Sequence, residues 1–386
     1  MLMKDNSKIW LSPPHIEDDE KQSLNDLIDS NWVTTGGPTT TAFEEDLKRY
    51  LEVDSPVVAL NSGTSAIHLA LLLAGVTRGD SVMCQTMSFV ATANPILYVG
   101  ANPIFIDSEI ETWNMCPETL EEAIKKEIEN DGRKPAAIIV VHSYGMPCKI
   151  GELSEISKKY NIPLIEDAAE ALGSKYKDKK CGSFGDFATF SFNGNKIITT
   201  GTGGVLVIKN KKLEKKARHL ANQAKTSSFD YNHDMLGFNY GMSGFSAAMG
   251  IAQLKGIEKK VNMRRANNWF YREVFDPVEE VFVLKEPIFN FFSNFWLTTI
   301  LFDTKAEKKL NKEGLRKYLE SVNIESRLLW KPLHQQSFYS KYKYYGAGIA
   351  DELYLNGLCL PSGSSLSMEQ KKRIASVIKD YFKTDI

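Results

Sequence analysis

The segment SFNGNKIITTGTGG, residues 191–204, contains a single lysine, Lys196, among serine, asparagine, glycine and threonine residues. It follows an apolar run that includes Phe187 and Phe190 and that predicts a buried strand. Burial disfavours the charged form of a lysine, and a neutral amine can form a Schiff base with a carbonyl group. The same pattern also suits a lysine that binds a backbone carbonyl or a phosphate, and Ser191 adds a hydroxyl nearby.

Two carboxylates follow a second apolar run, PLI, at residues 163–165. Asp167 lies at the predicted end of this strand, and Glu170 lies about one helical turn further along the chain. A carboxylate in this place can pair with a protonated ring nitrogen or bind a metal ion, and it can also cap the following helix. The segment is therefore a candidate binding site, and its sequence alone does not identify the ligand.

Two further strand ends carry groups that suit a ligand. The strand PVVAL at 56–60 leads into NSGTSA, in which Gly63 permits a tight turn and Thr64 begins a helix. The first N–H groups of a helix form an anion-binding site, although a serine or threonine there is often only a cap. Phe89 follows QTMS at another strand end and offers a flat ring.

Taken together, these features predict pyridoxal phosphate (PLP) as the cofactor. PLP requires a cradle for its phosphate, a carboxylate that keeps its pyridine nitrogen protonated, and a lysine that binds its aldehyde. The helix start at Gly63, the carboxylate of Asp167 and the amine of Lys196 match these three needs, and Phe89 can lie against the ring. An NAD-binding enzyme is a weaker alternative because no GxGxxG follows the first strand.

The elements that must position these residues alternate regularly from residue 56 to about residue 210. Predicted strands lie at 56–60, 81–85, 103–108, 136–144 and 163–170, and predicted helices at 64–76, 89–100, 117–130 and 150–161. This alternation predicts an α/β fold with a mostly parallel sheet that is covered on both faces. In such sheets, ligands bind beyond the carboxyl ends of the strands.

The C-terminal part has a different pattern. A long helix is predicted over 249–271, followed by strands at 281–284 and 295–303 and by helices near 306–322 and at 368–382. We therefore predict a large cofactor-binding domain over residues 1–245 and a smaller α+β domain over residues 246–386.

Composition limits the classes of partner. The 386 residues include 47 Lys and Arg against 48 Asp and Glu, so we expect neither a nucleic acid nor a membrane surface as a partner. The five cysteines are widely spaced and form no CxxC pair, which predicts neither disulfides nor a metal site. The N-terminal segment lacks the apolar run of a signal peptide, so we expect a cytoplasmic protein.

The chain resembles the DegT/StrS family of sugar-nucleotide aminotransferases, which have the fold-type I architecture of aspartate aminotransferase. The resemblance extends from about residue 11 to residue 365 and rests on motifs in matching order. These motifs are NSGTSAIHLAL, ANPIFIDSE, IEDAAEALGS, SFNGNK, GFNYGMS, ESRLLWKPLH and LPSG. EDAAEALGS, YGMPCKI, SFNGNKIITT and WKPLH are most similar to the branch that makes UDP-4-amino-4,6-dideoxy-N-acetylglucosamine, the bacillosamine precursor.

The resemblance implies transfer of the amino group of L-glutamate, through the pyridoxamine form of the cofactor, to C4 of a 4-keto-6-deoxy sugar nucleotide. UDP-2-acetamido-4-keto-2,6-dideoxyhexose is the expected substrate, for cell-surface glycan synthesis, and a GDP- or dTDP-linked sugar is the alternative. A related dehydratase has histidine in place of the lysine, which Lys196 argues against. A non-catalytic homologue that binds PLP is the remaining alternative.

The resemblance also implies a role for each matching residue. Lys196 is the expected catalytic residue, Asp167 pairs with the pyridine nitrogen, and Glu170 lies near the ring hydroxyl. The other expected cofactor contacts are Gly63, Thr64 and Ser191 at the phosphate, Phe89 on the ring, and Asn239 at the cofactor phosphate of a second subunit. The last contact implies a homodimer with shared active sites. The expected nucleotide-sugar contacts are Arg327, Trp330, Lys331 and His334, although this segment could also be a surface loop.

Three positions depart from the family pattern. Gly241 and Phe295 stand where the family or its nearest branch has arginine, and Thr202 replaces the glutamate of a GEGG motif. Loss of one charge-assisted contact costs about 1.5–3 kcal/mol, which is roughly tenfold to a hundredfold in binding. We therefore expect an intact cofactor site beside an altered sugar-nucleotide site.

Overall fold

A computed structural model describes residues 7–226, 229–303 and 311–383. Its α-helices are α1 Asp18–Asp29, α2 Pro38–Leu51, α3 Gly63–Leu73, α4 Asn94–Tyr98, α5 Pro117–Asp131, α6 Ile150–Tyr160, α7 Glu214–Ala221, α8 Gly244–Lys255, α9 Ile257–Phe275, α10 Lys312–Ser321, α11 Ile349–Asn356 and α12 Met368–Lys383. Its strands are β1 Val57–Leu60, β2 Ser81–Gln85, β3 Asn102–Ile106, β4 Ala137–Val141, β5 Leu164–Asp167, β6 Lys175–Tyr176, β7 Lys179–Lys180, β8 Phe187–Ser191, β9 Gly204–Ile208, β10 Val281–Val283, β11 Phe291–Phe292, β12 Thr298–Phe302, β13 Arg327–Leu328, β14 Tyr344–Tyr345 and β15 Gly357–Leu360.

The main sheet has eight strands in the order β1-β9-β8-β5-β4-β2-β3-β14. Strand β9 runs antiparallel to both of its neighbours, and the other neighbouring pairs are parallel. In register, Val141 pairs with Asp167, and Asp167 pairs with Thr189. The prediction of a mostly parallel sheet is confirmed, and the carboxyl ends of β5 and β8 therefore lie side by side.

Helices cover both faces of this sheet. Successive side chains of its central strands point to opposite faces, and both faces carry apolar side chains, so each face must be buried. Cys84 packs with Ile67 of α3 on one face, whereas its neighbour Met83 packs with Leu120 of α5 and Leu153 of α6 on the other. Strands buried on both faces are typical of parallel sheets. The carboxyl ends of the strands are thus the part of the sheet that is left open to a ligand.

A second, antiparallel sheet has the order β10-β12-β15-β13. Side chains from three C-terminal helices pack against it, including Tyr271 of α9, Leu315 of α10 and Ile374 of α12. A third, small sheet joins β11 to the β6–β7 hairpin. The predicted α+β character of the C-terminal part is confirmed.

Several predicted elements need correction. The helix predicted over 89–100 is a short 3₁₀ turn followed by α4, because Pro95 suits the first turn of a new helix and not the interior of a long one. The helix predicted over 249–271 is two helices that meet at Gly256, a poor helix former. The strand predicted over 295–303 is only β12, because Phe295 has a φ of 45° that no strand accepts.

The C-terminal part is not confined to its own sheet. Strand β14 extends the main sheet by pairing with β3, and Ile9 near the N-terminus forms a bridge with Ile324. The division at residue 245 stays a prediction. Of the helix predicted near 306–322, residues 306–310 lie outside the described residues, and α10 accounts for most of the remainder. Among the described helices, none combines the length and apolarity that a membrane span requires.

Candidate active site

Lys196 lies in the loop between β8 and β9, at the open edge of the main sheet. Its side chain is 13% exposed, and its Nζ lies 3.4 Å from Oε1 of Glu170. The same Nζ lies 4.2 Å from the ring centre of Trp296, a distance typical of a cation–π contact. A carboxylate and an indole therefore confine the amine to one region of the site.

Asp167 ends β5 and is buried. Its Oδ2 accepts a hydrogen bond of 2.7 Å from the hydroxyl of Thr92, and its Oδ1 accepts one of 3.2 Å from the N–H of Ala169. Burial raises the pKa of the Asp167 carboxyl, and these bonds together with the charge of Lys196 offset only part of the effect. A carboxylate that burial destabilises in this way is ready to pair with a cation.

Glu170 connects the lysine to the end of another strand. Its Oε2 accepts a hydrogen bond of 2.7 Å from the backbone N–H of Tyr144, while its Oε1 faces Lys196. Burial raises the pKa of the Glu170 carboxyl, and the charge of Lys196 opposes that shift. Tyr144 follows β4 with a φ of 57°, a strained conformation for a buried tyrosine.

The start of α3 forms an anion cradle. The hydroxyl of Ser62 caps the helix by accepting the N–H of Ser65 at 3.0 Å. Within the described residues, no protein acceptor takes the N–H of Gly63 or Thr64, so both are available to a ligand. A Cβ on Gly204 would lie 2.5 Å from the nitrogen of Gly63, so glycine is required there for β9 to approach the cradle.

These groups line one cavity of about 220 Å³. The predicted residues that line it are Gly63, Thr64, Phe89, Asp167, Glu170, Ser191 and Lys196. Free N–H groups at the α3 start fit a phosphate, the buried Asp167 fits a protonated ring nitrogen, and the amine of Lys196 fits an aldehyde. The chemistry of this donor set therefore matches PLP.

Phe89, the residue predicted to lie against the cofactor ring, lines the smaller cavity. Its side chain is 52% exposed, and its ring centre lies 5.3 Å from that of Trp330 with an angle of 50° between the planes. Trp330 stacks in turn on Tyr144, whose hydroxyl accepts the N–H of Trp330 at 2.7 Å. Trp330 is thus held in place beside the cavity.

A second, larger cavity of about 820 Å³ adjoins the first, and Asn195, Trp296 and Trp330 line both. The predicted substrate contacts Arg327, Trp330 and Lys331 line the larger cavity. The guanidinium of Arg327 is paired with Glu325 at 2.7 Å, yet its side chain is 70% exposed. A ligand in the larger cavity can therefore meet two cations and the indoles of Trp10, Trp296 and Trp330.

Two predicted residues line neither cavity. The nitrogens of His334 lie 2.7 Å from the hydroxyl of Thr86 and 3.1 Å from a carboxylate oxygen of Asp351, and its ring stacks on Tyr344. Asn239 is exposed, and its carbonyl accepts a hydrogen bond from the Asn61 side chain near the α3 start. Their predicted roles stay predictions, and the contacts of His334 are those of a residue that stabilises the fold.

The three unusual positions also lie outside both cavities. Phe295 is buried, with the guanidinium groups of Arg265 and Arg272 at 5.5 and 5.6 Å from its ring. A Cβ on Gly241 would face Asn222 and Thr35, and Thr202 is exposed. Within a single subunit, these positions do not change the walls of the substrate cavity.

Sequence reasoning missed several residues that hold the site. Thr92 and Tyr144 follow the strands β2 and β4, so the strand-end rule could have found both. Ser12 and Trp296 come from distant parts of the chain, and both donate hydrogen bonds to the carbonyl of Asn195. No local pattern indicates contacts of this kind.

The fold and the site together define a class. A mostly parallel sheet covered on both faces, with a lysine, a buried aspartate and a helix start at its carboxyl edge, is the architecture of a fold-type I PLP-dependent enzyme.

Comparison with known proteins agrees with this class. The chain matches the DegT/DnrJ/EryC1/StrS aminotransferase family over residues 14–379. It is 42% identical to EpsN of Bacillus subtilis (strain 168), provisionally named a PLP-dependent aminotransferase, over 98% of this chain and 97% of EpsN. It is 37% identical to the GDP-perosamine synthase of Escherichia coli O157:H7, over 96% of this chain and 97% of that enzyme.

A relative that acts on a UDP-linked sugar is also similar. The UDP-4-amino-4,6-dideoxy-N-acetyl-beta-L-altrosamine transaminase of Campylobacter jejuni (strain 81-176) is 34% identical, over 90% of each chain. Among solved structures, the PLP form of Spr1654 from Streptococcus pneumoniae, provisionally named a sugar aminotransferase, has a TM-score of 0.87 and 26% identity. That likeness covers 98% of this chain and 100% of Spr1654.

The chain belongs to the DegT/DnrJ/EryC1/StrS aminotransferase family. It is a PLP-dependent aminotransferase, as the site and the relatives indicate together.

Proposed function

We propose that this aminotransferase transfers the amino group of L-glutamate to C4 of a nucleotide-linked 4-keto-6-deoxy sugar. The observation that carries the proposal is the pair of adjoining cavities, one with Lys196 and one with Arg327 and Lys331. A cavity of about 820 Å³ is in the size range of sites for large ligands and far exceeds what glutamate alone requires. Its two cations suit a pyrophosphate, and Trp330 suits a ring.

The chain's own residues supply the proton transfers and the orientation. PLP, when bound, supplies an electron sink for the reacting carbon. Lys196 moves a proton to and from C4 of the sugar, and Glu170, at 3.4 Å from Nζ, keeps the amine directed into the cavity. Asp167 holds the ring nitrogen, while Gly63 and Thr64 bind the phosphate through their free N–H groups.

UDP-2-acetamido-4-keto-2,6-dideoxyhexose is our first candidate substrate, as part of cell-surface glycan synthesis. The motifs at 166–174 and 330–334 resemble the branch that makes the bacillosamine precursor, and the similar Campylobacter enzyme is named for a UDP-linked product. The second candidate is a GDP-linked 4-keto-6-deoxyhexose. It is favoured by the 37% identity to a GDP-perosamine synthase.

We further propose a homodimer with shared active sites in the cytoplasm. Large apolar side chains are exposed on two segments, 28–33 and 235–245, that the Thr35–Ser243 bridge brings together. They are Ile28, Trp32, Val33, Met235, Leu236 and Phe245. Burial of such a patch favours association, and Asn239 lies in the second segment. All five cysteines are free, which suits a reducing compartment.

Turnover with defined sugars tests the proposal. The PLP-loaded protein is mixed with L-glutamate and one 4-keto-6-deoxy sugar nucleotide at a time, UDP-linked, GDP-linked or dTDP-linked, and the products are identified by mass spectrometry. We expect one sugar to gain an amino group at C4, and we expect Lys196→Ala to form this product at least about 100-fold more slowly. The absence of an amino sugar with every substrate would favour a PLP-binding protein without this activity.

A further inference from the structure

Arg264 of α9 is a buried arginine outside the groups described so far. Its Nη1 donates a hydrogen bond of 2.5 Å to the carbonyl of Trp296, and its Nη2 donates one of 3.0 Å to the hydroxyl of Ser12. A weaker contact of 3.4 Å joins Nη1 to the carbonyl of Ser362. Among the described residues, no carboxylate lies within ion-pair distance of its guanidinium.

The two main partners of Arg264 meet again at the residue before the catalytic lysine. The hydroxyl of Ser12 donates a hydrogen bond of 2.7 Å to the carbonyl of Asn195, and the indole Nε1 of Trp296 donates one of 2.6 Å to the same oxygen. Two donors on one carbonyl fix the orientation of the Asn195–Lys196 peptide. Arg264 is thus linked to the backbone before Lys196 in two ways, through the hydroxyl of Ser12 and through Trp296, whose backbone carbonyl it binds and whose indole reaches Asn195.

Trp296 acts on the lysine at both ends. Its indole N–H holds the backbone before Lys196, and its ring centre lies 4.2 Å from the amine itself. Within the loop, the backbone N–H of Lys196 donates to the carbonyl of Asn193 at 3.0 Å. The angle at which the amine enters the cavity therefore depends on how Trp296 is held.

Burial of the Arg264 guanidinium lowers the stability of the fold, which argues that Arg264 does more than fill space in the core. A buried charge without a counter-ion is unfavourable, and apolar residues of similar volume often replace buried ions without loss of stability. Burial lowers the pKa of Arg264 to about 9, and within the described part of the chain its Nε has no hydrogen-bond partner. The planar guanidinium of arginine can hold two separate oxygens at once, which an apolar residue of similar volume cannot do.

We propose that Ser12, Arg264 and Trp296 form a lysine brace, in which Arg264 is a positioning residue for Lys196. The inference rests on the proposed function because it assigns the brace to an amine that reacts with PLP. Arg264 orients Ser12 and Trp296, these two orient the Asn195 carbonyl, and the carbonyl sets the direction of Lys196. Ser12 also lines the larger cavity, so under this proposal the N-terminal segment contacts both the brace and that cavity.

The test measures how fast Lys196 in the apoprotein captures PLP, before glutamate or any sugar is added. Capture is followed by the absorbance of the bound cofactor, and borohydride reduction followed by peptide mass spectrometry identifies the lysine that reacted. Ser12→Ala removes one of the two donors to Asn195, and we expect capture to slow by about 3- to 10-fold. Arg264→Met removes the support of both donors, and we expect it to slow PLP capture by about 10- to 100-fold.

Tyr271→Phe is the matched control. Tyr271 is buried on the same helix as Arg264, and its hydroxyl donates at 2.8 Å to the carbonyl of Pro361 and not to Ser12 or Trp296. We expect this variant to lower the melting temperature while capture keeps the native rate and pH profile. Arg264→Lys retains the charge but cannot hold two oxygens in one plane, so we expect it to behave like Arg264→Met in capture.

The outcomes separate the brace from the proposed function. Native capture rates and pH profiles in Ser12→Ala and Arg264→Lys, with only the melting temperature changed, would overturn the brace. Slow capture in these variants with normal capture in Tyr271→Phe supports it, and Ser12→Ala gives this result even where Arg264→Met fails to fold. Failure of the native protein to capture PLP at Lys196 would overturn the proposed function, and the brace with it.

Discussion

The two adjoining cavities differ in how the protein holds their charged groups. In the smaller cavity, Asp167, Glu170 and Lys196 are largely buried and in contact with protein partners. In the larger cavity, Arg327 and Lys331 are exposed to solvent, and Arg327 is paired with the carboxylate of Glu325. Under the proposed function, the smaller cavity, which binds the cofactor, is organised by protein contacts before the ligand arrives, whereas the larger cavity, which binds the substrate, presents exposed cations.

This difference has a physical consequence for each end. Buried groups are held at fixed distances and are little screened by salt, so a change at one of them alters chemistry or cofactor binding strongly. Exposed cations are screened and flexible, so each contributes moderately and mainly to substrate affinity. Under the proposed function, the groups that react with the cofactor thus lie at the sheet edge, and the groups that bind the sugar nucleotide lie on an exposed segment.

The largest effect is expected at the buried end, from Lys196→Ala. Removal of the group that transfers the proton should lower the rate of amination by about 10²- to 10⁴-fold. Steady-state kinetics with glutamate and the accepted sugar measure the loss. Lys331→Ala, in the larger cavity, is the control. A similar loss of amination rate in both variants would contradict the stated difference between the two cavities.

Asp167→Asn should weaken PLP binding by about 10- to 100-fold, because a charge-assisted contact with the ring nitrogen is lost. Fluorescence titration of the apoprotein with PLP measures this change. The same substitution should instead stabilise the apoprotein near neutral pH. Because burial raises the folded-state pKa of the Asp167 carboxyl, the native apoprotein loses stability as pH rises from the ordinary carboxyl range through that raised value.

The asparagine variant lacks this titration. Its apoprotein should therefore melt about 2–4 °C higher than the native apoprotein near neutral pH, with a flatter dependence on pH. Thermal unfolding between pH 4 and pH 8 checks both features. A variant that melts lower at neutral pH would show that the ionised Asp167 stabilises the fold, contrary to the account.

At the exposed end, Arg327→Ala should raise the KM for the sugar nucleotide by about 10-fold and leave the reaction with glutamate unchanged. The KM of the native enzyme for the sugar should also rise with salt, and less steeply in the variant. Kinetics at low and high ionic strength measure both. An equal effect of the variant on glutamate and on the sugar would contradict a role confined to the larger cavity.

The smallest effect on catalysis is expected for His334→Phe. Its imidazole bridges Thr86 and Asp351 and lines neither cavity, so the change should lower stability by about 1–2 kcal/mol. The KM for the sugar nucleotide should stay within about twofold of the native value. An increase in KM like that of Arg327→Ala would instead support the contact with the nucleotide sugar that the resemblance implies.

Much of the cofactor end could be predicted from the sequence because it depends on local pattern. Apolar runs and the intervening helices predicted β1 to β5, and the strand-end rule then located Gly63, Phe89, Asp167 and Lys196 at one edge. The structure lines one cavity with all four residues. Parallel strands make such predictions possible, since their carboxyl ends must meet.

The parts that could not be predicted depend on contacts between distant segments. Ser12 and Trp296 reach the same carbonyl from opposite ends of the chain, and Tyr344 joins β14 to the main sheet. The segment 327–334 shows the same limit: the resemblance implied four contacts with the nucleotide sugar, and the sequence alone did not show that His334 lines neither cavity. Composition and spacing carry no information about such three-dimensional arrangements.

The most direct test of the central claim follows the visible absorption of the PLP-loaded protein through the two halves of the reaction. L-Glutamate is added first, and the excess is removed before UDP-2-acetamido-4-keto-2,6-dideoxyglucose is added. We predict that glutamate abolishes the band and that this sugar restores it, or that a GDP-linked sugar does so if the second candidate is correct. A band that glutamate leaves unchanged, while Lys196→Ala removes it, would contradict the assignment of this protein as a sugar-nucleotide aminotransferase.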